Sequence, residues 1–125
     1  VLGICLGMQL LYQASEEGDV SCLGAIPGKA RRMRPVPGRP VPHMGWNQLR
    51  HGGHAPLLAD IEDGAHAYFV HSYSLAVGDE TVATTEYGAE FSAAIAHRNF
   101  FGTQFHPERS ASTGSRILRN FLELG

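Results

Sequence analysis

The sequence predicts an α/β fold, on three observations. The chain opens on an apolar run, Val1-Leu2-Gly3-Ile4, bounded by a glycine turn, the pattern of a strand inside a parallel sheet. It closes on a segment in which Ile117, Leu118, Phe121 and Leu122 recur at helical spacing. Between these ends lie short runs of β-prone residues separated by Gly and Pro, and helices flanking a strand-rich middle are the α/β arrangement. No initiator Met precedes Val1, and the first strand is already in progress there. Residues 1–125 are therefore read as the C-terminal portion of a single longer domain.

Taken in order, Val1–Ile4 is the first strand. Leu6 to Ser15 is predicted as a helix, because Leu6, Leu10 and Ala14 repeat every fourth position and Leu11 widens the stripe. Ser15-Glu16-Glu17-Gly18 ends it, with Gly18 free to take a left-handed conformation. Residues 19–66 are dense in turn residues, with short strands expected near Ala30–Arg34 and Asn47–Leu49. Ala67–Tyr73 and Thr81–Thr85 are rich in aromatic and β-branched residues and read as strands. Phe91–Ala96 and Phe100–Phe105 form a predicted hairpin turning at His97-Arg98-Asn99. Ser112 or Thr113 can cap the final helix.

Composition narrows the function. Ten Lys and Arg against twelve Asp and Glu leave a formal charge of −2, which excludes a strongly basic nucleic-acid binder and a polyacidic tail. The longest apolar stretch stops at Tyr12, short of the about 20 residues a membrane span needs. It also lacks the basic flank and cleavage site of a signal peptide. Two cysteines, Cys5 and Cys22, are too few for a disulfide scaffold, so reduced thiols and a cytoplasmic location are expected.

Two motifs carry chemistry. Gly3-Ile4-Cys5-Leu6-Gly7 has the form of a nucleophile elbow with cysteine in place of serine, between a strand and a helix. The sharp turn exposes the nucleophile, and flanking glycines let strand and helix approach. At a helix N-terminus the Cys5 thiolate is expected to be stabilised, and the Leu6 N–H is the natural oxyanion donor. The second motif is Phe105-His106-Pro107-Glu108. In an extended segment His106 and Glu108 leave on one side, and Pro107 favours that geometry, so Glu108 can orient His106 as a base. Alone, the first motif also fits a structural cysteine and the second a surface His beside a surface Glu. Together, each at the C-terminal end of a predicted strand, they point to one catalytic site. Of the other histidines, His43, His66 and His97 read as surface turn residues and His71 as a satisfied structural residue. His51 and His54 sit in a Gly-rich loop without partners at metal spacing. Cys22 reads as an inert buried thiol.

Gly3-Ile4-Cys5-Leu6-Gly7-Met8-Gln9 together with Gly102-Thr103-Gln104-Phe105-His106-Pro107-Glu108 resembles the class I (triad) glutamine amidotransferases. Val41-Pro42-His43-Met44-Gly45-Trp46-Asn47, Tyr68-Phe69-Val70-His71-Ser72-Tyr73 and Thr84-Thr85-Glu86-Tyr87-Gly88 are similar to the glutaminase subunits of imidazole glycerol phosphate synthase within that family. The resemblance implies a flavodoxin-like, open, mostly parallel sheet with flanking helices, here lacking its N-terminal part and the second oxyanion donor. It implies a Cys5-His106-Glu108 triad that hydrolyses glutamine, with Leu6 as oxyanion donor. Gln9, Ser72 and Tyr73 would hold the substrate. Trp46, Tyr68 and Arg109 would face a (β/α)8-barrel cyclase in a heterodimer that makes imidazole glycerol phosphate for histidine biosynthesis. Neither cofactor nor metal is called for. Arg109 stands where the family favours Lys, which keeps the charge and changes the geometry. Two alternatives stay open: the glutaminase of another class I amidotransferase, and an inactive partner-binding fragment.

Overall fold

In the computed structural model, residues 1–18 and 20–124 are described. Strand β1 (Leu2–Ile4) leads through Cys5 into a one-turn helix α1 (Leu6–Gln9). Strands β2 (Tyr12–Ser15), β3 (Val20–Ser21), β4 (Ile26–Arg32) and β5 (His43–Gln48) follow. After a short 3-10 turn at Pro56–Leu58 come β6 (His66–His71), β7 (Tyr73–Ser74), β8 (Thr81–Tyr87), β9 (Ala89–His97) and β10 (Phe100–Thr103). A second 3-10 turn, Pro107–Arg109, precedes the terminal helix α2 (Ala111–Leu124). None of the described helices is long and apolar enough to cross a membrane.

The sheets are mixed where a mostly parallel sheet was expected. One has the order β1-β10-β9-β8, a second β3-β2-β4-β7, and β5 pairs with β6 alone. The pairs β1–β10 and β2–β4 are parallel and the remainder antiparallel. The tight connections dictate this: Phe100 pairs with His97, so only Arg98 and Asn99 turn the chain, and a two-residue turn can join only antiparallel strands. The hairpin predicted at His97-Arg98-Asn99 is therefore present, with Arg98 at φ 57°.

The predicted helix over Leu6–Ser15 is corrected. It stops after one turn, and Tyr12–Ser15 forms β2, pairing with Ile26, Lys29 and Ala30 of β4. Helix propensities differ by about 0.7 kcal/mol per residue at most among ordinary residues. Burying one large apolar side chain is worth about 1.5–3 kcal/mol. Leu11, Tyr12, Ile26 and Ala30 are all buried in one cluster with Met8, Leu75 and Ile95, so packing overrides the local pattern. Gly18 is left-handed as expected, at φ 75°, but it turns a β-hairpin rather than capping a helix.

The terminal helix begins at Ala111, so Ser112 and Thr113 lie inside its first turn and do not cap it. Its buried face is Gly114, Ile117 and Asn120; Leu118 and Phe121 are half-buried, and Leu122, predicted buried, is exposed. The helix seats on the 3-10 turns rather than on the sheet alone. A Cβ on Gly114 would clash with the Pro107 carbonyl oxygen, and Asn120 Nδ2 donates to the carbonyls of Leu57 and Ala59 at 2.9 Å. Ile117 joins Phe69, Phe91, Phe105, Leu49, Leu57 and Leu58 in the larger core cluster. His43, His66 and His97 all sit on strands rather than in turns. His66 is exposed and His97 half-buried, but His43 is buried, its ring stacked between Phe69 and Tyr87.

Candidate active site

The parallel pairing of β1 with β10 places the two motifs. Ile4 is in register with Thr103, and both strands run the same way. Cys5 leaves β1 and His106 leaves the end of β10 at the same edge of the sheet, where open α/β sheets carry their sites. The elbow is fastened there by the Cys5 N–H, which donates to the Thr103 carbonyl at 2.7 Å. Cys5 itself has φ 55° and ψ −108°, a sparsely populated conformation for a residue with a Cβ. Gly3 makes this turn possible: a Cβ there would fall 2.5 Å from the Gly7 carbonyl oxygen. Gly7 has open space around its own missing Cβ, so the close approach constrains Gly3 rather than both.

The thiol has two hydrogen-bonding neighbours. It lies 3.7 Å from the Val70 carbonyl oxygen, to which S–H donates, and Gln104 Nε2 donates to Sγ at 3.6 Å. Burial pushes the thiol above its ordinary pKa; the Leu6 N–H and the Gln104 amide oppose this, while the carboxylates of Glu108 and Glu17 add to it. The lowered value expected at a helix N-terminus is thus not found. A four-residue helix sums few peptide dipoles, and they do not outweigh burial. The thiol rests neutral and needs a base. The Leu6 N–H, expected as an oxyanion donor, is directed at the sulfur.

His106 is extended, with φ −99° and ψ 102°, and its N–H donates to the Tyr68 carbonyl at 3.0 Å. Its Nδ1 lies 3.3 Å from Glu108 Oε2, the base-and-orienter contact read from the motif. That contact leaves Nε2 as the nitrogen available to a proton donor. Ser110, which sequence reasoning passed over, holds this turn. Its Oγ donates to the His106 carbonyl at 2.6 Å and accepts the Tyr68 N–H at 2.9 Å. A serine closely following the His-Pro-Glu motif and just before the final amphipathic run was the available signal.

Cys5, Leu6, Gln9, Ser72 and Tyr73 line one cleft of about 310 Å³, together with Glu17, Pro42, Val70 and His71. All three residues expected to hold substrate are therefore at the nucleophile. Gln9 is buried, and its Nε2 donates to the Tyr73 carbonyl at 3.0 Å and to Gln104 Oε1 at 3.1 Å. Gln104, Val70 and His71 were not singled out as site residues; a polar Gln inside the apolar run Phe100–Phe105 was the sequence signal for Gln104. Among the described residues, no group of three or more His, Cys, Asp or Glu is placed to hold a metal ion.

Trp46, Tyr68 and Arg109 also come together. Trp46 pairs with Tyr68 across β5 and β6, their rings edge-to-face at 5.9 Å. The Arg109 guanidinium lies over the Tyr68 ring at 4.2 Å. Trp46 is 53% exposed and Met44, two residues earlier on the same face of β5, is 61% exposed. Met44 pairs with Val70, a cleft residue, so this exposed face adjoins the cleft.

The model of the family Glutamine amidotransferase class-I matches residues 1–124. Among curated proteins, the chain is 56% identical over 124 residues to the imidazole glycerol phosphate synthase subunit HisH of Xylella fastidiosa (strain Temecula1), covering 99% of this chain and 62% of that protein. The HisH subunit of Idiomarina loihiensis is likewise 56% identical, with the same coverage of 99% and 62%. The chain thus spans less than two thirds of the length of the curated relatives it matches. Among solved structures, a GMP synthase subunit protein from Thermoplasma acidophilum superposes with a TM-score of 0.72 at 19% identity, over 98% of this chain and 55% of that one. The glutaminase domain of Trypanosoma brucei CTPS gives 0.64 at 17% identity, over 98% and 60%. At these identities the likeness concerns the fold.

Proposed function

This chain belongs to the class-I glutamine amidotransferase family, and from that premise we propose that its protein is a glutaminase that supplies ammonia to the synthesis of imidazole glycerol phosphate. The observation that carries the reading is the parallel register of Ile4 with Thr103, which brings Cys5 and His106 to one sheet edge beside a cleft lined by Gln9, Ser72 and Tyr73. Identity of 56% to proteins named as HisH subunits of imidazole glycerol phosphate synthase supports the choice of acceptor reaction over other class I activities.

The chemistry follows from the geometry. The half-buried thiol, its pKa raised, is neutral at rest, so His106, held through Nδ1 by Glu108, takes its proton at Nε2 as sulfur attacks the side-chain amide carbon of glutamine. The amide oxygen becomes an oxyanion, to which the Leu6 N–H would donate; its hydrogen bond to the sulfur supports this role. The tetrahedral adduct collapses to a glutamyl thioester as His106 passes its proton to the departing ammonia. Water, deprotonated by the same imidazole, then attacks the thioester, releasing glutamate and the Cys5 thiol.

Ammonia must reach its consumer without protonation in bulk water. The exposed Trp46–Tyr68–Arg109 cluster beside Met44 is the face on which a cyclase partner, a (β/α)8 barrel in a heterodimer, would dock. Such a biosynthetic pair would work in the cytoplasm. The test is product formation by the full-length natural protein and its cyclase. With glutamine, imidazole glycerol phosphate forms; with Cys5→Ala it forms only when ammonium salt replaces glutamine. Glutamine-dependent product from the Cys5→Ala variant, or none from the natural pair, overturns the reading.

A further inference from the structure

At the wall of the cleft, to which His71 belongs, two buried histidines touch. His43 Nδ1 and His71 Nε2 are 2.9 Å apart, with His43 2% and His71 6% exposed. Their proton positions follow from the groups at either end of the contact. His71 Nδ1 lies 2.9 Å from the Tyr73 carbonyl oxygen, which can only accept, so His71 carries its proton on Nδ1. A neutral His71 then accepts at Nε2, and His43 must donate from Nδ1. His43 is left to accept at Nε2, where Asn47 Nδ2 lies 3.3 Å away. The orientation of Asn47 is fixed independently: its Nδ2 donates to the Glu86 carbonyl at 2.9 Å and its Oδ1 accepts the Gln48 N–H at 2.7 Å. Both ends of the chain thus demand the same polarity, Asn47 to His43 to His71 to the Tyr73 carbonyl.

The Tyr73 carbonyl has a second donor, Gln9 Nε2. Because a carbonyl cannot donate, the Gln9 amide must present nitrogen there, and the same nitrogen donates to Gln104 Oε1. Gln104 must then turn its own nitrogen to Cys5 Sγ. One backbone oxygen therefore orders both arms, one running to β5 and one to the nucleophile.

We infer that His43 is a positioning residue for the Cys5 thiol: with His71 it holds the Tyr73 carbonyl that orients Gln9 and Gln104, and so keeps an amide donor on the sulfur. This role rests on the assignment of Cys5 as the nucleophile. Protonating either histidine puts two N–H groups face to face and breaks the order. Both are lowered to about 4, by burial above all; His71 and Arg39 contribute to this at His43, and at His71 the Tyr73 carbonyl opposes burial while His106 adds to it. The Tyr87, Phe69 and Phe91 rings that pack on His43 offer it no counter-charge near neutrality.

The experiment uses the full-length natural protein. His43→Phe keeps a ring between Phe69 and Tyr87 and removes the donor to His71; His43→Asn retains an N–H near the Nδ1 position. The rate of Cys5 alkylation by iodoacetamide is followed against pH, with glutamine kinetics alongside. In His43→Phe the alkylation midpoint is expected to rise by about half a pH unit, with kcat down about tenfold and KM changed less. His43→Asn is expected to restore most of both. A folded His43→Phe protein with an unchanged midpoint overturns the role. If His43→Phe does not fold, long-range proton–nitrogen spectra of the natural protein decide. Both imidazoles must be neutral Nδ1–H tautomers at pH 6, and an Nε2–H tautomer in either overturns the proposal. Absence of glutamine turnover in the natural protein would instead sink the glutaminase reading, and it leaves the thiol and tautomer readings standing.

Discussion

The backbone N–H of Cys5 donates to the carbonyl of Thr103 at 2.7 Å, so the nucleophile turn is bonded to the strand that ends at the base. The link is main-chain and therefore independent of which side chains occupy the two positions. It extends the parallel ladder of Ile4 and Thr103 by one step, to the point where the chain leaves the sheet. The geometry of the elbow consequently depends on how closely β1 and α1 can approach.

Gly3→Ala is expected to be costly for that reason. Its methyl would sit 2.5 Å from the Gly7 carbonyl oxygen, which is backbone and cannot swing aside. Forcing an extra methyl into a packed site costs about 1–3 kcal/mol. Urea unfolding of the full-length protein should show a loss in that range, together with a larger fractional loss of glutaminase activity. Gly7→Ala, where nothing crowds the new Cβ within this chain, should cost less.

The base is tested by separating its two nitrogens. His106→Ala should lower kcat by about 10²–10⁴, the usual worth of general acid–base catalysis. Glu108→Gln keeps an acceptor for Nδ1 but removes the charge that favours the imidazolium, so its loss should be smaller. Steady-state glutamine hydrolysis with the partner present measures both. Equal losses in the two variants would show that Glu108 does more than orient.

These two motifs were legible because their chemistry is local. An elbow needs its glycine within two residues, and an orienting carboxylate reaches its imidazole from two residues away. Gln9, Ser72 and Tyr73, singled out on resemblance, line the cleft with Cys5. What stayed hidden is non-local. Tyr12–Ser15 carries a helical stripe, yet pairing with β4 makes it a strand, and nothing near it in sequence announces Ile26 as its partner. His43 follows Pro42 in a turn-rich stretch and reads as exposed; only its pairing with His71 across β5 and β6, beneath Tyr87, buries it. The role of Gln104 likewise depends on Gln9 from the other motif.

The buried histidines give stability a pH dependence. Both have folded-state values lowered from 6.5 to about 4 by burial. Between those limits the unfolded chain binds more protons, so stability rises with pH. Above about 6.5 the contribution is complete; as pH falls towards 4 it is lost, by up to about 1.4 kcal/mol per pH unit for each histidine. Denaturant midpoints measured from pH 7.5 to 4.5 should fall over this window. His43→Phe should flatten the fall, since one of the two protons is removed.

The exposed cluster is expected to govern association. Truncating Trp46 or Arg109 to Ala should weaken cyclase binding by about 2 kcal/mol, the scale of interface hot spots, or roughly 30-fold in Kd. Titration calorimetry reads the affinity, and the ratio of glutamate released to imidazole glycerol phosphate formed reads the coupling. Arg109→Lys keeps charge over the Tyr68 ring and should lose less. Unchanged affinity and unchanged coupling in both alanine variants would place the partner on another face.

The identity of the nucleophile is tested most directly by labelling. Cys5 has the strained elbow, the Leu6 N–H and the His106–Glu108 pair at the same sheet edge; Cys22 lies after the elbow on a segment that follows β3. The full-length protein is treated with a glutamine analogue bearing an electrophilic diazoketone, digested, and the adduct located by mass spectrometry. The adduct is expected on Cys5 alone, slowed by added glutamine and absent after Cys5→Ala. Preferential labelling of Cys22, or a Cys5 adduct that glutamine does not slow, would contradict the assignment of this cleft as a glutamine site.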